Sequence, residues 1–113
     1  MNNDDKIAII DDLISMRGKV LKSALTLKLS GEDSAPLDEA EQKLEARVQE
    51  LRGALQHQWQ GEAEEVRREL KNASKRVQRR IADIDKKIQR AEKAVEILGQ
   101  VEGLLAKIAP LLA

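Results

Sequence analysis

The sequence predicts an all-α protein: an antiparallel helical bundle of three main helices, with room for a short fourth and a coiled-coil-like hairpin at its centre. Three observations carry this expectation. Ala, Leu, Glu, Lys, Arg and Gln dominate a chain that is 42% hydrophobic and 35% charged, the profile of amphipathic helices. Apolar residues recur every three or four positions over long windows, which is the period of one helix face. Trp59 is the sole aromatic residue, so the core must be built from Leu, Ile, Val and Ala, whereas a sheet would recruit more aromatic and β-branched side chains. At 113 residues the chain fits one helical domain over 1–113, with length for a single core but not for two.

The first helix is expected over about 4–29. Ile7, Ile10, Leu13, Ile14, Leu21 and Leu25 fall at helical spacing, Asn2 or Asn3 can cap the start, and Asp4 and Asp5 lie at its positive end. Ile9, Met16, Val20, Ala24 and Leu27 widen the apolar face enough that more than one neighbour should cover it. Residues 30–36 are the clear break. Gly31 suits a helix C-cap, and Pro36 followed by Asp38 and Glu39 suits a first helical turn.

From Leu37 the three-four spacing runs on through Leu44, Val48, Leu51, Leu55, Trp59, Val66, Leu70, Val77, Ile81, Ile84, Ile88 and Val95 to Leu98. One straight helix over 37–98 would reach ~93 Å at ~1.5 Å per residue, so a compact monomer has to bend it. The expectation is a helical hairpin over about 37–98 with its bend near 61, because Gly61 is the only Gly or Pro between Ala54 and Leu98 and follows a polar run. Asn72-Ala73-Ser74 is the second choice. The remaining 99–113 form an apolar C-terminal segment, and Pro110 should end regular helix near Ala109.

Charge supports the choice of bend. The chain is neutral, with 20 basic and 20 acidic residues, yet it is polarised: Glu32 to Glu65 is acid-rich and Arg67 to Lys93 is base-rich. A fold-back near Gly61 would lay the acidic arm against the basic arm. An unbent alternative satisfies the same complementarity between two antiparallel chains.

Several functions are disfavoured on residue content. There are no cysteines, which removes disulfide scaffolds, zinc ribbons, iron–sulfur clusters and thiol catalysis. His57 is the only histidine and lacks the repeated Glu-x-x-His pairs of a helical di-metal site, so no metal and no cofactor are expected. The serines carry no nucleophile motif and the glycines form no phosphate-cradling loop, so no catalytic residue is assigned. No stretch approaches a membrane span, and the acidic start Met-Asn-Asn-Asp-Asp-Lys is unlike a secretory signal, which makes the cytoplasm the expected location and membrane attachment a disfavoured one.

The functional expectation is a non-enzymatic protein–protein interaction or regulatory module, of adaptor, antitoxin or immunity-like type, acting through helical surfaces on a protein partner whose identity the residues do not encode. Homodimerisation is expected, since helix 1 and the tail carry more apolar surface than three short helices cover. Met16, Leu27, Trp59, Leu105 and Leu112 are the candidate contact residues, with Trp59 expected to anchor the hinge unless it is exposed. A second class is nucleic-acid binding by the basic stretch 67–93, through Arg67, Arg68, Lys75, Arg76, Arg79, Arg80, Lys87 and Arg90. It is the lesser expectation, because net charge is neutral, no stacking aromatic lies in the block and the acidic arm is there to neutralise it. The third class is a small all-helical enzyme holding an anionic substrate with arginines.

Overall fold

Asn2 opens the fold as expected: its side-chain oxygen accepts a hydrogen bond from the Asp5 backbone N–H at 2.8 Å, capping the first turn of a long helix. The computed structural model describes residues 1–113. In it α1 spans Asn3–Leu29, α2 Ala35–Gly53, α3 Ala63–Asp85 and α4 Arg90–Ile108, and a single 3-10 turn, Ala109–Leu112, ends the chain. The class is all-α, and the helices number four rather than three with a short appendage.

The additional helix arises from a break that the apolar periodicity conceals. Residues 37–98 do not form one hairpin; the chain turns at Ala54–Glu62 and again at Lys86–Gln89, and α4 unites the end of the expected hairpin with most of the expected tail. The turn after α3 is a Schellman motif. The Ile88 N–H donates to the Asp83 carbonyl at 2.8 Å and the Lys87 N–H to the Ile84 carbonyl at 3.0 Å, while Lys87 takes a left-handed φ of 61°. The turn after α1 has the same bonds, Glu32 to Leu27 and Gly31 to Lys28, but there Gly31 supplies the positive φ of 70°. A glycine announces this motif in a sequence and a lysine does not. A lysine in that conformation carries a steric cost of ~1–2 kcal/mol that glycine avoids, so Lys87→Gly is expected to raise the melting temperature by a few degrees, as read by circular dichroism. A drop would show that the Lys87 side chain stabilises the turn.

Packing follows a ring. α1 lies against α2 and α3, α4 lies against the same two, and neither α1 with α4 nor α2 with α3 makes contact. Around the bundle the order is therefore α1, α2, α4, α3, an up-down-up-down path in which the two hairpins sit side by side. All four helices contribute to one cluster that includes Ile9, Leu13 and Met16 from α1, Leu37, Leu44 and Leu51 from α2, Leu70, Val77 and Ile84 from α3, and Ile97, Val101 and Leu104 from α4. The molecule measures 44 × 22 × 19 Å, the length expected of its longest helix at ~1.5 Å per residue.

The linker between α2 and α3 takes the chain across one end of this ring, and it is firmly held. Trp59 is buried and its indole N–H donates to the Ala54 carbonyl at 2.9 Å. Lys6, buried on the first turns of α1, donates from Nζ to the carbonyls of Leu55 at 3.0 Å and His57 at 2.6 Å. The same ammonium lies 5.7 Å from the centre of the Trp59 ring, within cation–π range. The Gln60 N–H donates to Leu111 at 2.8 Å, which ties the linker to the C-terminal turn, and Gly61 makes the bend with a φ of 85°. Trp59 is the hinge anchor that its place in the sequence suggested.

This crossing overturns the expected pairing of the acidic and basic arms. α2 and α3 stand at opposite corners, so the acids of α2 find other cations: Arg17 bonds Glu41 at 2.7 Å and Glu45 at 2.9 Å, Lys28 bonds Asp38 at 2.9 Å, and Lys43 bonds Glu102 at 2.8 Å. The Lys28 ammonium, helped by the Ser34 hydroxyl, holds the Asp38 carboxyl below its ordinary range. Arg90 of α4 with Glu32 of the α1–α2 loop is the one pair of acidic arm with basic arm that joins the two hairpins. The physical reason is the core. Each helix directs its apolar stripe to the common centre, and the nine linker residues 54–62 are long enough to cross the bundle end, so burial decides the neighbours and exposed charge does not.

Candidate interaction surfaces

Two faces stand out once the ring is assembled, and α1 borders both. The first is its outward side. Of the expected apolar face, Ile9, Ile10, Leu13, Met16, Val20, Ala24 and Leu27 are buried, whereas Ile7, Leu21, Leu25 and Leu29 remain 47, 44, 54 and 81% exposed. Ile14 is half-buried and Gly18 exposed. At ~3.6 residues per turn, Ile7, Ile14, Gly18, Leu21 and Leu25 follow one another at heptad spacing along one strip of the helix. α2 continues this side of the molecule with Gln42, Ala46, Gln49 and Gly53, all exposed and all uncharged.

The contact residues expected from sequence fall elsewhere. Met16, Leu27 and Trp59 are core residues, and Leu105 and Leu112 are half-buried against the same core. For Met16 and Leu27 the expected exposure was wrong because α1 carries two apolar stripes, and which one faces inward depends on where α2 and α3 lie. Exposed Leu21 and Leu25 are the residues missed. A signal for them existed in the excess width of the apolar face, but width alone does not say which edge is left over.

The second face lies along α3 and its seam with α1. Arg67 bonds Asp12 at 3.0 Å, Arg80 bonds Glu96 at 3.2 Å, and Arg90 is taken by Glu32, so these three are engaged within the fold. Hydrogen bonding to Asp12 holds the Arg67 proton more tightly than usual. Arg68 makes only a long 3.9 Å contact with Glu64. Lys71, Lys75, Arg76 and Arg79 are exposed and make no ion pair at all, and the same holds for Lys19 and Lys22 across the seam on α1 and for Lys86 and Lys87 at the turn. A shallow groove of ≈ 610 Å³ follows the seam, walled by Asp12 and Ser15 on one side and by Arg67, Arg68, Lys71 and Lys75 on the other. Further along, Ser23 is buried at the seam with an unpaired hydroxyl.

Neither face gathers a cluster of metal-ligating side chains. His57 is exposed on the linker, where its backbone carbonyl serves Lys6, and no three His, Cys, Asp or Glu side chains converge on one point. No helix is long and apolar enough to cross a membrane. Comparison with protein-family models, with curated proteins and with solved structures gives no match for this chain.

Proposed function

We propose that this chain is a non-enzymatic interaction module that works by protein–protein contact through the outward face of α1. One observation carries the reading: Ile7, Leu21, Leu25 and Leu29 stand exposed in a single strip of a helix whose opposite side already fills the core. Scattered surface leucines need no explanation, but an apolar strip along one helix, bordered by the ion pairs of Arg17 with Glu45 and Lys28 with Asp38, has the make-up of an interface with an apolar centre and a charged rim. The grooves of the molecule are open and walled largely by polar and charged side chains, unlike the enclosed, mostly apolar clefts that hold small substrates.

The test is an affinity capture comparing the parent chain with Leu21→Glu/Leu25→Glu, both variants verified as folded by circular dichroism. Loss of self-association or of a captured protein in the variant supports the reading. Identical behaviour of the two chains in both respects removes it.

Nucleic-acid binding is the second reading, and the geometry strengthens it relative to the sequence. Of the three arguments against it, neutral net charge and the want of stacking aromatics stand, but neutralisation by the acidic arm does not: α2 does not touch α3, and Lys71, Lys75, Arg76 and Arg79 are left without partners. Four phosphate contacts would give a log–log salt slope of about −3.6. Titration into labelled duplex DNA and structured RNA over a salt series should return such a slope, and Lys75→Ala/Arg76→Ala/Arg79→Ala should flatten it by about 2.7. Salt-insensitive or absent binding excludes this reading.

A further inference from the structure

We infer that the occupant of the α1 strip is a second copy of this chain, packed antiparallel α1 against α1 around Gly18. The inference rests on the reading of that face as an interaction surface and adds the partner and the orientation.

The first argument is charge order along α1. Its N-terminal half carries Asp4, Asp5, Asp11 and Asp12, and from there to Glu32 the chain has cations only. Asp4 and Asp11 have no ion-pair partner within the chain, and neither has Lys22. At ~100° per residue these three lie along the same edge of the apolar strip. Two copies running antiparallel set each acidic half against the basic half of the other. In the register that places Ile7 opposite Leu25 and Ile14 opposite Gly18, Asp11 comes beside Lys22 of the second copy on that shared edge, while Lys28 lies on the other edge, bonded to Asp38 of its own chain. In a parallel pairing the same edge of the two copies falls on opposite sides of the seam, so Asp11 and Lys22 would not meet and the contact would be lost. An isologous interface requires a surface complementary to itself, and this strip has that property only when reversed.

The second argument is Gly18. It sits inside a 27-residue helix and is exposed, and a Cβ placed on it would meet nothing within 4 Å. Glycine is among the poorest helix formers, and nothing within the chain requires one here. At the crossing point of two helices the missing side chain lets the backbones approach. The third argument is extent. The exposed, uncharged α2 positions Gln42, Ala46, Gln49 and Gly53 continue the same side beyond the Arg17–Glu45 pair, so the face is two helices wide.

Sedimentation velocity over a concentration series tests the inference. The parent chain is expected to dimerise. Leu21→Glu/Leu25→Glu, which alters only exposed side chains, should weaken self-association by at least about tenfold while remaining folded. Gly18→Ala separates the two roles of that residue: it should melt higher, because alanine favours helix, yet dimerise less. Orientation is read by mixing. Asp11→Lys and Lys22→Glu should each associate less alone, and together should recover a heterodimer in which both contacts are again opposite in sign. A dimer indifferent to Leu21 and Leu25, or no recovery on mixing, overturns the proposal. A parent chain that stays monomeric also overturns it, and capture of another protein that the Leu21/Leu25 variant loses would then show that the interaction reading itself survives.

Discussion

Trp59→Ala is expected to melt about 10–20 °C below the parent chain, the larger of the two biggest losses anticipated for a single substitution. Truncating a buried Trp removes ~3–5 kcal/mol through lost burial and the cavity left behind, and in a chain of this size each kcal/mol shifts the midpoint by ~4 °C. The effect should exceed ordinary core truncation in kind, because Trp59 is on the linker and its N–H bond to Ala54 fixes the linker's path. Trp59→Phe provides the control: it keeps an aromatic ring, loses that bond and should fall between the two. Thermal unfolding followed by circular dichroism measures both. A loss of less than about 1 kcal/mol for Trp59→Ala would mean that the linker does not depend on its anchor.

Lys6→Met is expected to cost ~2–3 kcal/mol and to lower the midpoint by ~8–12 °C. Methionine preserves the length and apolar stem of lysine but removes the charged donors to Leu55 and His57. Those carbonyls close the bundle end, and losing a charge-assisted donor there costs more than losing an exposed ion pair such as Arg68 with Glu64. Because the Lys6 ammonium also faces the Trp59 ring, the two substitutions should not add. A double-mutant cycle is expected to show coupling of ~0.5–3 kcal/mol. Additivity would place Lys6 and Trp59 in independent roles.

The linker explains why the two hairpins lie side by side. Once residues 54–62 are pinned to the start of α1 and to the C-terminal turn, α3 must rise beside α1 and cannot return along α2. That placement leaves Lys71, Lys75, Arg76 and Arg79 of α3 without acids and the outer strip of α1 without a neighbour. Both surfaces proposed for binding are consequences of one piece of irregular chain.

How much of this was legible beforehand varied by element. Asn2, Gly31 and Gly61 declared their roles because capping and positive φ are local requirements that particular residue types meet. The Lys86–Gln89 turn gave no such sign, because Lys87 and Gln89 adopt left-handed conformations that side-chain chemistry does not advertise and the apolar spacing continues through Ile88. Arg67, Arg80 and Arg90 were indistinguishable in sequence from Lys75, Arg76 and Arg79, although the fold engages the first three and leaves the others free. Met16 and Leu27 were indistinguishable from Leu21 and Leu25 for the same reason.

By itself, then, the sequence determined what depends on neighbours along the chain: helix class, the amphipathic period, the first break and the bend at Gly61. Only the tertiary structure decided which helices touch, which apolar stripe of α1 is buried and which cations lack partners. The physical reason is range. A helix is specified within a few turns by bonds between residues three or four apart, whereas the partner of a helix face is chosen by burial summed over the whole core, and surface charges worth ~0–1 kcal/mol each are too weak to overrule it.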